Sequence, residues 1–478
     1  MSGQPQVCPL VRRQFGPPTD PARLASFYNP FHSNPSVLPM TRRFYIVTLG
    51  CPKNSVDAEA MTGLLLAAGW RQTQRADRAD VLIANTCGFI EAARQESLDT
   101  LRQLAQTKGQ GQKLLAAGCL SQRWGPELQA QVPGVDGILG TREWARVVSC
   151  VDELFAPSVQ APVRLSERLS VVTPMRRLRS GHSAYLKISD GCSAACAFCA
   201  IPQIKGPHRS KDRQAILTEA RELAKAEVRE IVLIGQDTTA YGQDLGEHDA
   251  LPSLIEDICQ AAPEVPWLRL MYAYPQHVSP RLVELLATKP QLCHYLDLPL
   301  QHAHPDTLRR MRRPSDIDLV RRLIEQLRGA MPDIALRTTF IVGFPGETEA
   351  EFEALLEFFR WATFDRVGVF VFSREEGTAA ATLPNQVPAE VAQERFQRAM
   401  ELQRSISLQR NQLQVGRTLP VLVEGYGDGV SLSRSYRDAP EIDGYVLLTG
   451  KHAVGTMVQA RIVSALDYDL VAETTEPD

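Results

Sequence analysis

Short apolar segments alternate with helical stretches along the first part of the chain, up to about residue 155. The segments are FYIVTLG (44–50), VLIANTC (81–87), KLLAAGC (113–119) and DGILG (136–140). Strand and helix patterns that alternate in this way are typical of a parallel sheet covered by helices. We therefore expect a small parallel α/β domain over residues 42–155.

The same alternation returns six times between residues 178 and 415. The predicted strands are YLKIS (185–189), EIVLIG (230–235), WLRLMYAY (267–274), HYLDLPL (294–300), RTTFIVGF (337–344) and RVGVFVFS (366–373), and a helix over 387–412 follows them. Six strand-helix units in about 200 residues suit a partial (β/α)6 barrel of the TIM type.

The remaining segments have different patterns. Residues 416–478 contain short apolar runs separated by Gly and Asp turns, which predicts a small antiparallel β-barrel. Residues 1–41 hold eight prolines and little periodicity, so we expect a Pro-rich irregular tail, and residues 156–177 form a linker rich in Ser, Pro and Arg. The expected fold class for the whole chain is α/β and multidomain.

Composition narrows the class of protein. Hydrophobic residues make up 44% of the 478 and charged residues 22%, a balance typical of soluble globular proteins. We find neither a secretory signal nor an apolar run long enough to span a membrane, so we expect a cytoplasmic protein. There, the ten cysteines favour metal or redox chemistry over disulfides. With 52 basic and 55 acidic residues, the whole chain offers no electrostatic case for nucleic-acid or membrane binding.

Three cysteines, Cys192, Cys196 and Cys199, follow the first predicted barrel strand in a C-x3-C-x2-C run. Active sites of such barrels lie at the C-terminal ends of the strands. Three thiolates can hold three irons of a four-iron cluster and leave the fourth iron free. The alternatives are a zinc site, with His208 as a further ligand, or three unrelated buried thiols.

This run resembles that of the radical S-adenosylmethionine (SAM) superfamily. The resemblance implies that SAM binds the free iron and is split to a 5′-deoxyadenosyl radical, which makes Cys192, Cys196 and Cys199 the catalytic residues. It also implies SAM contacts from the aromatic residue before the third cysteine and from two loops after strands, GQD and GFPGE. These candidates are Phe198, Gly235, Gln236, Asp237, Gly343, Gly346 and Glu347. Basic residues near the cysteine loop, namely Lys187, Lys205 and Arg209, are either contacts for a carboxylate or surface ion-pair residues.

A second set of cysteines, Cys51, Cys87 and Cys119, is dispersed in sequence. Each lies at or just after the end of a predicted parallel strand. Because these strand ends share one edge of the sheet, the three thiols should converge and could hold a second cluster. The alternative is that each is a small buried hydrophobic residue.

Together, these features are similar to the methylthiotransferase family of radical SAM enzymes. The motifs are TLGCPKNSVDAE (48–59), NTCGFI (85–90), AGCLSQR (117–123) and SDGCSAACAFCAIP (189–202), and the resemblance covers residues 42–478. It implies two 4Fe-4S clusters, SAM as cofactor, an external electron donor and a C-terminal TRAM domain that docks the substrate. It further implies that the radical removes a hydrogen, that a methylthio group is inserted, and that a second SAM supplies the methyl group.

The family has two substrate classes, a tRNA adenosine and an aspartate β-carbon of small-subunit ribosomal protein S twelve. The segments GCPKNSVD, LDLPLQHA (296–303) and RSYRDAPEIDG (434–444) resemble the ribosomal-protein branch. Residues 416–478 also carry five basic and ten acidic residues, which would repel RNA and attract a basic protein. We therefore expect the ribosomal protein as partner rather than a nucleic acid. The alternatives are a tRNA methylthiotransferase and a non-enzymatic iron-sulfur protein that binds ribosomes.

Overall fold

The computed structural model describes residues 42–157, 162–166 and 181–475. The tail predicted at 1–41 and most of the linker predicted at 156–177 lie outside the described residues. Within them, the chain forms two six-stranded parallel sheets, a closed five-stranded barrel and a two-stranded ladder. This architecture confirms the predicted fold class.

The first sheet forms the N-terminal domain, with strand order β2-β1-β3-β4-β5-β6 and all neighbours parallel. Its strands are β1 Arg43–Thr48, β2 Arg71–Gln72, β3 Val81–Thr86, β4 Lys113–Gly118, β5 Gly137–Gly140 and β6 Val163–Arg164. Its helices are α1 Pro52–Ala67, α2 Glu91–Thr107, α3 Cys119–Gln131 and α4 Val147–Leu154. All six residues of β3 are buried, as expected for a central strand covered on both faces. Strand β6 belongs to the segment predicted as a linker.

The second sheet is the partial barrel, in the order β14-β13-β12-β11-β10-β7 with parallel neighbours. Its strands are β7 Ser183–Lys187, β10 Glu230–Ile234, β11 Trp267–Leu270, β12 Leu292–Gln301, β13 Ala335–Val342 and β14 Arg366–Val371, while β8 Ser189–Asp190 and β9 Arg209–Ser210 form the separate ladder. The helices are α5 Ile201–Lys205, α6 Arg213–Lys225, α7 Ala250–Ala261, α8 Pro280–Thr288, α9 Pro305–Arg310, α10 Ile317–Ala330, α11 Glu349–Ala362 and α12 Ala389–Gln412.

The C-terminal domain is a closed barrel with strand order β15-β16-β17-β19-β18. Its strands are β15 Thr418–Gly427, β16 Val430–Ser435, β17 Val446–Thr449, β18 Met457–Ala465 and β19 Leu470–Thr474. Four neighbouring pairs are antiparallel, but β17 and β19 run parallel. The sequence predicted an antiparallel barrel, and the parallel pair follows from closure, because five strands cannot alternate in direction all the way round a barrel.

Candidate active site

The three dispersed cysteines meet at one edge of the N-terminal sheet. Cys51 follows β1, Cys87 follows β3, and Cys119 begins α3 directly after β4. Strands β1, β3 and β4 are parallel neighbours, so their C-terminal ends lie side by side. The thiols are close enough to influence one another electrostatically. The structure therefore brings the predicted second set together.

The side chain of Asn54 connects the three loops that carry these cysteines. Its Nδ2 donates to the carbonyl oxygen of Leu49 at 2.9 Å and to that of Thr86 at 3.0 Å, one residue before Cys87. Its Oδ1 accepts from the thiol of Cys119 at 3.6 Å. Asn54 lies in the first turn of α1 and is 1% exposed. One buried amide thus sets the relative positions of all three thiols.

Glycine precedes two of these thiols for steric reasons. Gly50 has φ +91°, and a Cβ there would lie 2.7 Å from Cβ of Cys87. Gly118 has φ +97°, and a Cβ there would lie 2.5 Å from the carbonyl oxygen of Thr86. Both positions combine a left-handed backbone with a close approach between loops, which other residues do not tolerate. The glycines allow the loops to pack tightly enough for the thiols to converge.

Burial controls the protonation of two of these thiols, Cys87 and Cys119, through their pKa values. It raises the pKa of Cys87 to about 11, and it raises the pKa of Cys119 even more, although the nearby Lys205 ammonium opposes the shift. Without a metal, these groups are neutral thiols at physiological pH. A metal centre must displace their protons, because the thiolate is the ligand.

The triad of Cys192, Cys196 and Cys199, called the Cys192 triad below, lies in the loop between β8 and α5. Cys192 N donates to the carbonyl oxygen of Gly206 at 3.1 Å, and Cys199 N donates to that of Cys196 at 3.2 Å. The N–H of Ile201 points at Cys199 Sγ, 3.4 Å away. Burial raises the pKa of Cys199 to about 12 and also raises that of Cys192. The loop is thus held by backbone contacts that leave the three thiols as potential ligands.

Arg313 is a cation next to the Cys192 triad. No pattern in the sequence indicated this residue. Its Nη1 lies 3.8 Å from Cys196 Sγ, and its Nη2 donates to the carbonyl oxygen of Pro299 at 2.6 Å. Its guanidinium stacks 4.1 Å from the ring centroid of Tyr274. It is therefore fixed where it can donate to a sulfur ligand and offset negative charge at a cluster.

The spacing of the thiols distinguishes a cluster from a single ion. In the described part of the chain, the one group of three ligand atoms within 4.8 Å of one another is His304, Asp306 and Glu351, and neither cysteine triad is that compact. A four-iron cluster spreads its ligands over separate irons, whereas zinc gathers them around one ion. His208 Nε2 lies 3.5 Å from Ser210 Oγ, and within the described residues His208 belongs to no compact group of ligand atoms. The donor sets fit iron-sulfur clusters.

The predicted SAM loops lie after β10 and β13, with several of their side chains already engaged. Gln236 Nε2 donates to Asp190 Oδ1 at 3.0 Å. Asp237 accepts from Thr239 Oγ1 at 2.6 Å, and its other oxygen lies 3.0 Å from His277 Nδ1.

The loop after β13 is organised by a buried carboxylate. Glu347 accepts hydrogen bonds from the N–H groups of Gly343 and Phe344. Gly343 and Gly346 have φ +73° and +76°. Phe198 packs against Phe344 and its apolar neighbours. Because the side chains of Gln236, Asp237 and Glu347 already have hydrogen-bond partners, we expect direct SAM contacts mainly from main-chain atoms and glycines.

A buried ionic quartet joins the two cysteine sites. Asp57 of α1 contacts the ammonium groups of Lys187 and Lys205, with 2.9 Å from its Oδ2 to Lys205 Nζ, and Asp190 lies 3.1 and 3.3 Å from the same two nitrogens. Burial alone would raise the pKa of Asp190, but the two ammonium groups hold it below its usual range. Cys119 also packs against Ile204. The two sites thus adjoin each other through buried contacts.

The quartet also decides between the two interpretations of the basic residues near the cysteine loop. Lys187 and Lys205 were candidates for carboxylate binding or for ion pairing, and both are buried and neutralised by aspartates. Arg209 is exposed. Asp57 carries no recognisable signal in the sequence, because its partners are more than 100 residues away in the chain.

The segment RSYRDAPEIDG fastens the C-terminal barrel to the partial barrel. Arg434 reaches Glu230 at 2.5 Å, Arg437 reaches Asp365 at 2.5 Å, and Asp438 accepts from Arg366 at 2.6 Å. Asp443 accepts from the hydroxyl of Tyr295 at 2.7 Å, and Arg337 bridges Asp443 and Asp297 of the LDLPLQHA segment. These two segments resemble the ribosomal-protein branch of the family, and in the structure they form a contact between the two domains.

Comparison with known protein families gives three matches along the chain. They are UPF0004, described as an uncharacterized protein family, at residues 43–140, the Radical SAM superfamily at 186–359, and the TRAM domain at 415–475. The fold and the two triads of thiols thus define a radical SAM enzyme with an N-terminal UPF0004 domain and a C-terminal TRAM domain.

Close relatives specify the family. The chain is 53% identical over 461 residues to the ribosomal protein uS12 methylthiotransferase RimO of Roseiflexus sp. (strain RS-1), covering 91% of this chain and 97% of that one. It is 51% identical over 454 residues to the RimO protein of Chloroflexus aurantiacus, covering 90% and 99%. The chain belongs to the RimO family.

A solved structure shares the fold at low sequence identity. The radical SAM methyltransferase TsrM from Kitasatospora setae, solved with cobalamin and a [4Fe-4S] cluster, superimposes with a TM-score of 0.53 and 14% identity, covering 71% of this chain and 74% of that one. The likeness concerns the fold alone. Separately, none of the helices within the described residues is long and apolar enough to cross a membrane.

Proposed function

We propose that this protein inserts a methylthio group at the β-carbon of an aspartate in ribosomal protein uS12. The observation that carries the proposal is the pair of adjoining three-thiol sites, joined through Asp57, Lys187, Lys205 and Asp190. One site can generate the radical and the other can supply the sulfur. Because the sites adjoin each other, both can act on the same substrate carbon. The relatives of this chain are named ribosomal protein uS12 methylthiotransferases.

The two cysteine triads and two loops are the residues that would hold the cofactors. Cys192, Cys196 and Cys199 would hold the cluster that binds SAM, and the set of Cys51, Cys87 and Cys119 would hold the second cluster. A four-iron cluster with three cysteine ligands keeps one iron for SAM and supplies the electron that activates it for hydrogen abstraction. That electron must come from an external donor. The loops 235–237 and 343–347 would contact SAM through main-chain atoms.

The protein's own part in the reaction is to position and to shield. Asn54 fixes the loops that carry Cys51, Cys87 and Cys119. Arg313 fixes a positive charge beside the Cys192 triad. The buried quartet joins the N-terminal domain to the barrel, and such burial near the reactive substrate carbon would limit the access of water. Abstraction from an unactivated β-carbon needs a radical, since no general base removes that hydrogen.

The TRAM domain supports a protein substrate rather than RNA. Arg434, Arg437, Asp438 and Asp443 are taken up by the interface with the barrel. Because two basic and two acidic groups are withdrawn together, the excess of five acidic residues over residues 416–478 is unchanged. An acidic docking domain attracts a basic ribosomal protein and repels phosphate.

A deletion strain tests the proposal. Mass spectrometry of uS12 and of hydrolysed tRNA from the deletion strain and its parent should show the loss of one methylthio group from uS12 and unchanged tRNA nucleosides. Loss from a tRNA nucleoside instead would contradict it.

Complementation tests the roles of the two sites. Cys192→Ala and Cys51→Ala should both fail to restore the modification, whereas Cys259→Ala, a buried cysteine outside both triads, should restore it. In vitro, we expect SAM cleavage to persist in Cys51→Ala and to vanish in Cys192→Ala. Reconstituted wild-type protein should hold about eight irons per chain, four for each cluster, and a colourless zinc protein would favour a non-enzymatic role.

A further inference from the structure

Lys53 is a buried cation at the junction of the two cysteine sites, and it belongs to neither the thiol triads nor the ionic quartet. It follows the cluster cysteine Cys51 by two residues, lies in the first turn of α1 and is 8% exposed. A cation is unfavourable there, because the N-terminus of a helix already carries partial positive charge. The first turn holds no acidic residue that would offset it. The ammonium of Lys53 and the N-terminus of α1 therefore both contribute positive potential at this place.

Within the described residues, the ammonium of Lys53 has no anionic partner. Across residues 42–157, 162–166 and 181–475, it forms neither an ion pair nor a hydrogen bond, and its one contact of note is the ring of Tyr272, with 3.0 Å from Nζ to the ring centroid. The neighbouring buried lysines differ, because Lys187 and Lys205 share two aspartates. Its nitrogen is not among the fully enclosed polar atoms without a partner, so it borders accessible space. A desolvated, unpaired charge beside such space suits an anionic ligand.

The backbone of Tyr272 is strained in a way that keeps its ring under this ammonium. Tyr272 has φ +60°, a left-handed conformation that is unfavourable for a bulky residue. Its N–H donates to Asp297 Oδ2 at 3.2 Å, and its carbonyl oxygen accepts from the N–H of Thr238 at 3.0 Å. Strain held in place by surrounding contacts is characteristic of functional sites.

The same segment leads from Lys53 to the radical site. Two residues beyond Tyr272, Tyr274 stacks with Arg313, and Arg313 lies 3.8 Å from Cys196 Sγ. A ligand held by Lys53 would therefore lie between the two triads. Arg313 is less available for that ligand, since it already donates to a carbonyl oxygen.

We propose that Lys53 binds the side-chain carboxylate of the substrate aspartate, with the ring of Tyr272 holding the ammonium in position. The inference rests on the proposed function and names the group that selects its substrate. The β-carbon of an aspartate is bonded directly to the carboxylate carbon, so anchoring the carboxylate also positions the carbon that reacts. The charge-assisted contact discriminates aspartate from its neutral isostere asparagine.

Binding of uS12 in two forms tests this inference. Reconstituted protein without reductant, and hence without turnover, is titrated with purified uS12 and with a uS12 form that carries Asn at the target position. Wild-type protein should bind the Asp form about tenfold or more tightly than the Asn form. Lys53→Met keeps an unbranched apolar stem on the Tyr272 ring and should lose this preference while binding the Asn form normally. Lys53→Arg should retain part of it.

Controls separate this role from a structural one. Lys225→Gln, at an exposed lysine of α6, should keep the full preference. Iron content and the absorption spectrum should match the wild type in each variant, and Lys53→Gln replaces Lys53→Met if the latter loses a cluster. Equal affinity of the wild-type protein for both forms, or a preference retained without the Lys53 charge, overturns the inference. If wild-type protein modifies no uS12 at all, the proposed function fails instead.

Discussion

Replacing Asp57 by Asn removes one of the two carboxylates that neutralise Lys187 and Lys205. Asp57 contacts both ammonium groups, and all four side chains of the quartet are at most 7% exposed. Asn has almost the same shape and can still accept a hydrogen bond. The variant therefore isolates the charge, because it leaves two buried cations facing the single carboxylate of Asp190.

The expected loss follows from the burial of these groups. Removing one partner of a buried ion pair lowers stability by about 3 to 5 kcal/mol, because the other charge remains desolvated. We expect the lower end, about 3 kcal/mol, since Asp190 still contacts both lysines. The double variant Asp57→Asn with Lys205→Met restores equal numbers of charges, so it should regain most of the loss.

Urea unfolding of anaerobically reconstituted protein measures this change. Trp70 and Trp144 are buried in the N-terminal domain and report its unfolding by fluorescence. Asp77→Asn is the matched control, because Asp77 forms an exposed ion pair with Arg75, and we expect no measurable shift in the midpoint. A loss below about 1 kcal/mol in Asp57→Asn, far under the range for a buried pair, would refute the reasoning. So would a double variant that is less stable than Asp57→Asn.

Three further predictions follow from the structure. Cys119→Ser should lower the iron content from about eight to about four per chain while SAM cleavage persists, and iron analysis with an assay of 5′-deoxyadenosine checks both. Gly118→Ala should destabilise the protein by about 1 to 3 kcal/mol and impair the same cluster, because it adds a clash to a left-handed backbone. Gly111→Ala, at φ +86° with nothing near the added Cβ, should be milder, and parallel urea titrations compare the two. Burial alone would raise the pKa of Glu230, but two neighbouring guanidinium groups hold it at about 2. A depressed folded pKa stabilises the protein above the unfolded value near 4.5, and this contribution disappears as pH falls toward 2. The stability advantage of wild type over Glu230→Gln, followed by the fluorescence of Trp267, should therefore shrink between pH 5 and about pH 2, and a constant difference would contradict it.

Much of the fold was predictable because its elements are local and periodic. The strand β3, predicted as VLIANTC, is buried at all six positions from Val81 to Thr86, so its apolar run reports its place in the sheet. The parallel pair of β17 and β19 was not predictable from local pattern, because it depends on how five strands close. The strand β6 was also missed, since Val163–Arg164 is only two residues long.

The convergence of the cysteines was predictable for a geometric reason. Cys51, Cys87 and Cys119 each follow a parallel strand, and parallel neighbours place their ends at one edge. The residues that hold the thiols carry a weaker signal. Asn54 is one polar residue in a helix, and its role appears only when its three partners, 5 to 65 residues away, are known.

The sequence by itself predicted the cluster ligands, the order of the domains and the family, because these predictions depend on short motifs and on strand order. Tertiary structure alone decided which charges are satisfied. From the sequence, Lys187 and Lys205 were candidates for binding a carboxylate ligand. In the structure both are neutralised by two aspartates, and one of these aspartates comes from the N-terminal domain. Lys53, inside the motif CPKN, is the buried lysine near the triads without such a partner in the described chain. The reason is physical: an ion pair depends on distances between side chains far apart in sequence, and only the packed domains set those distances.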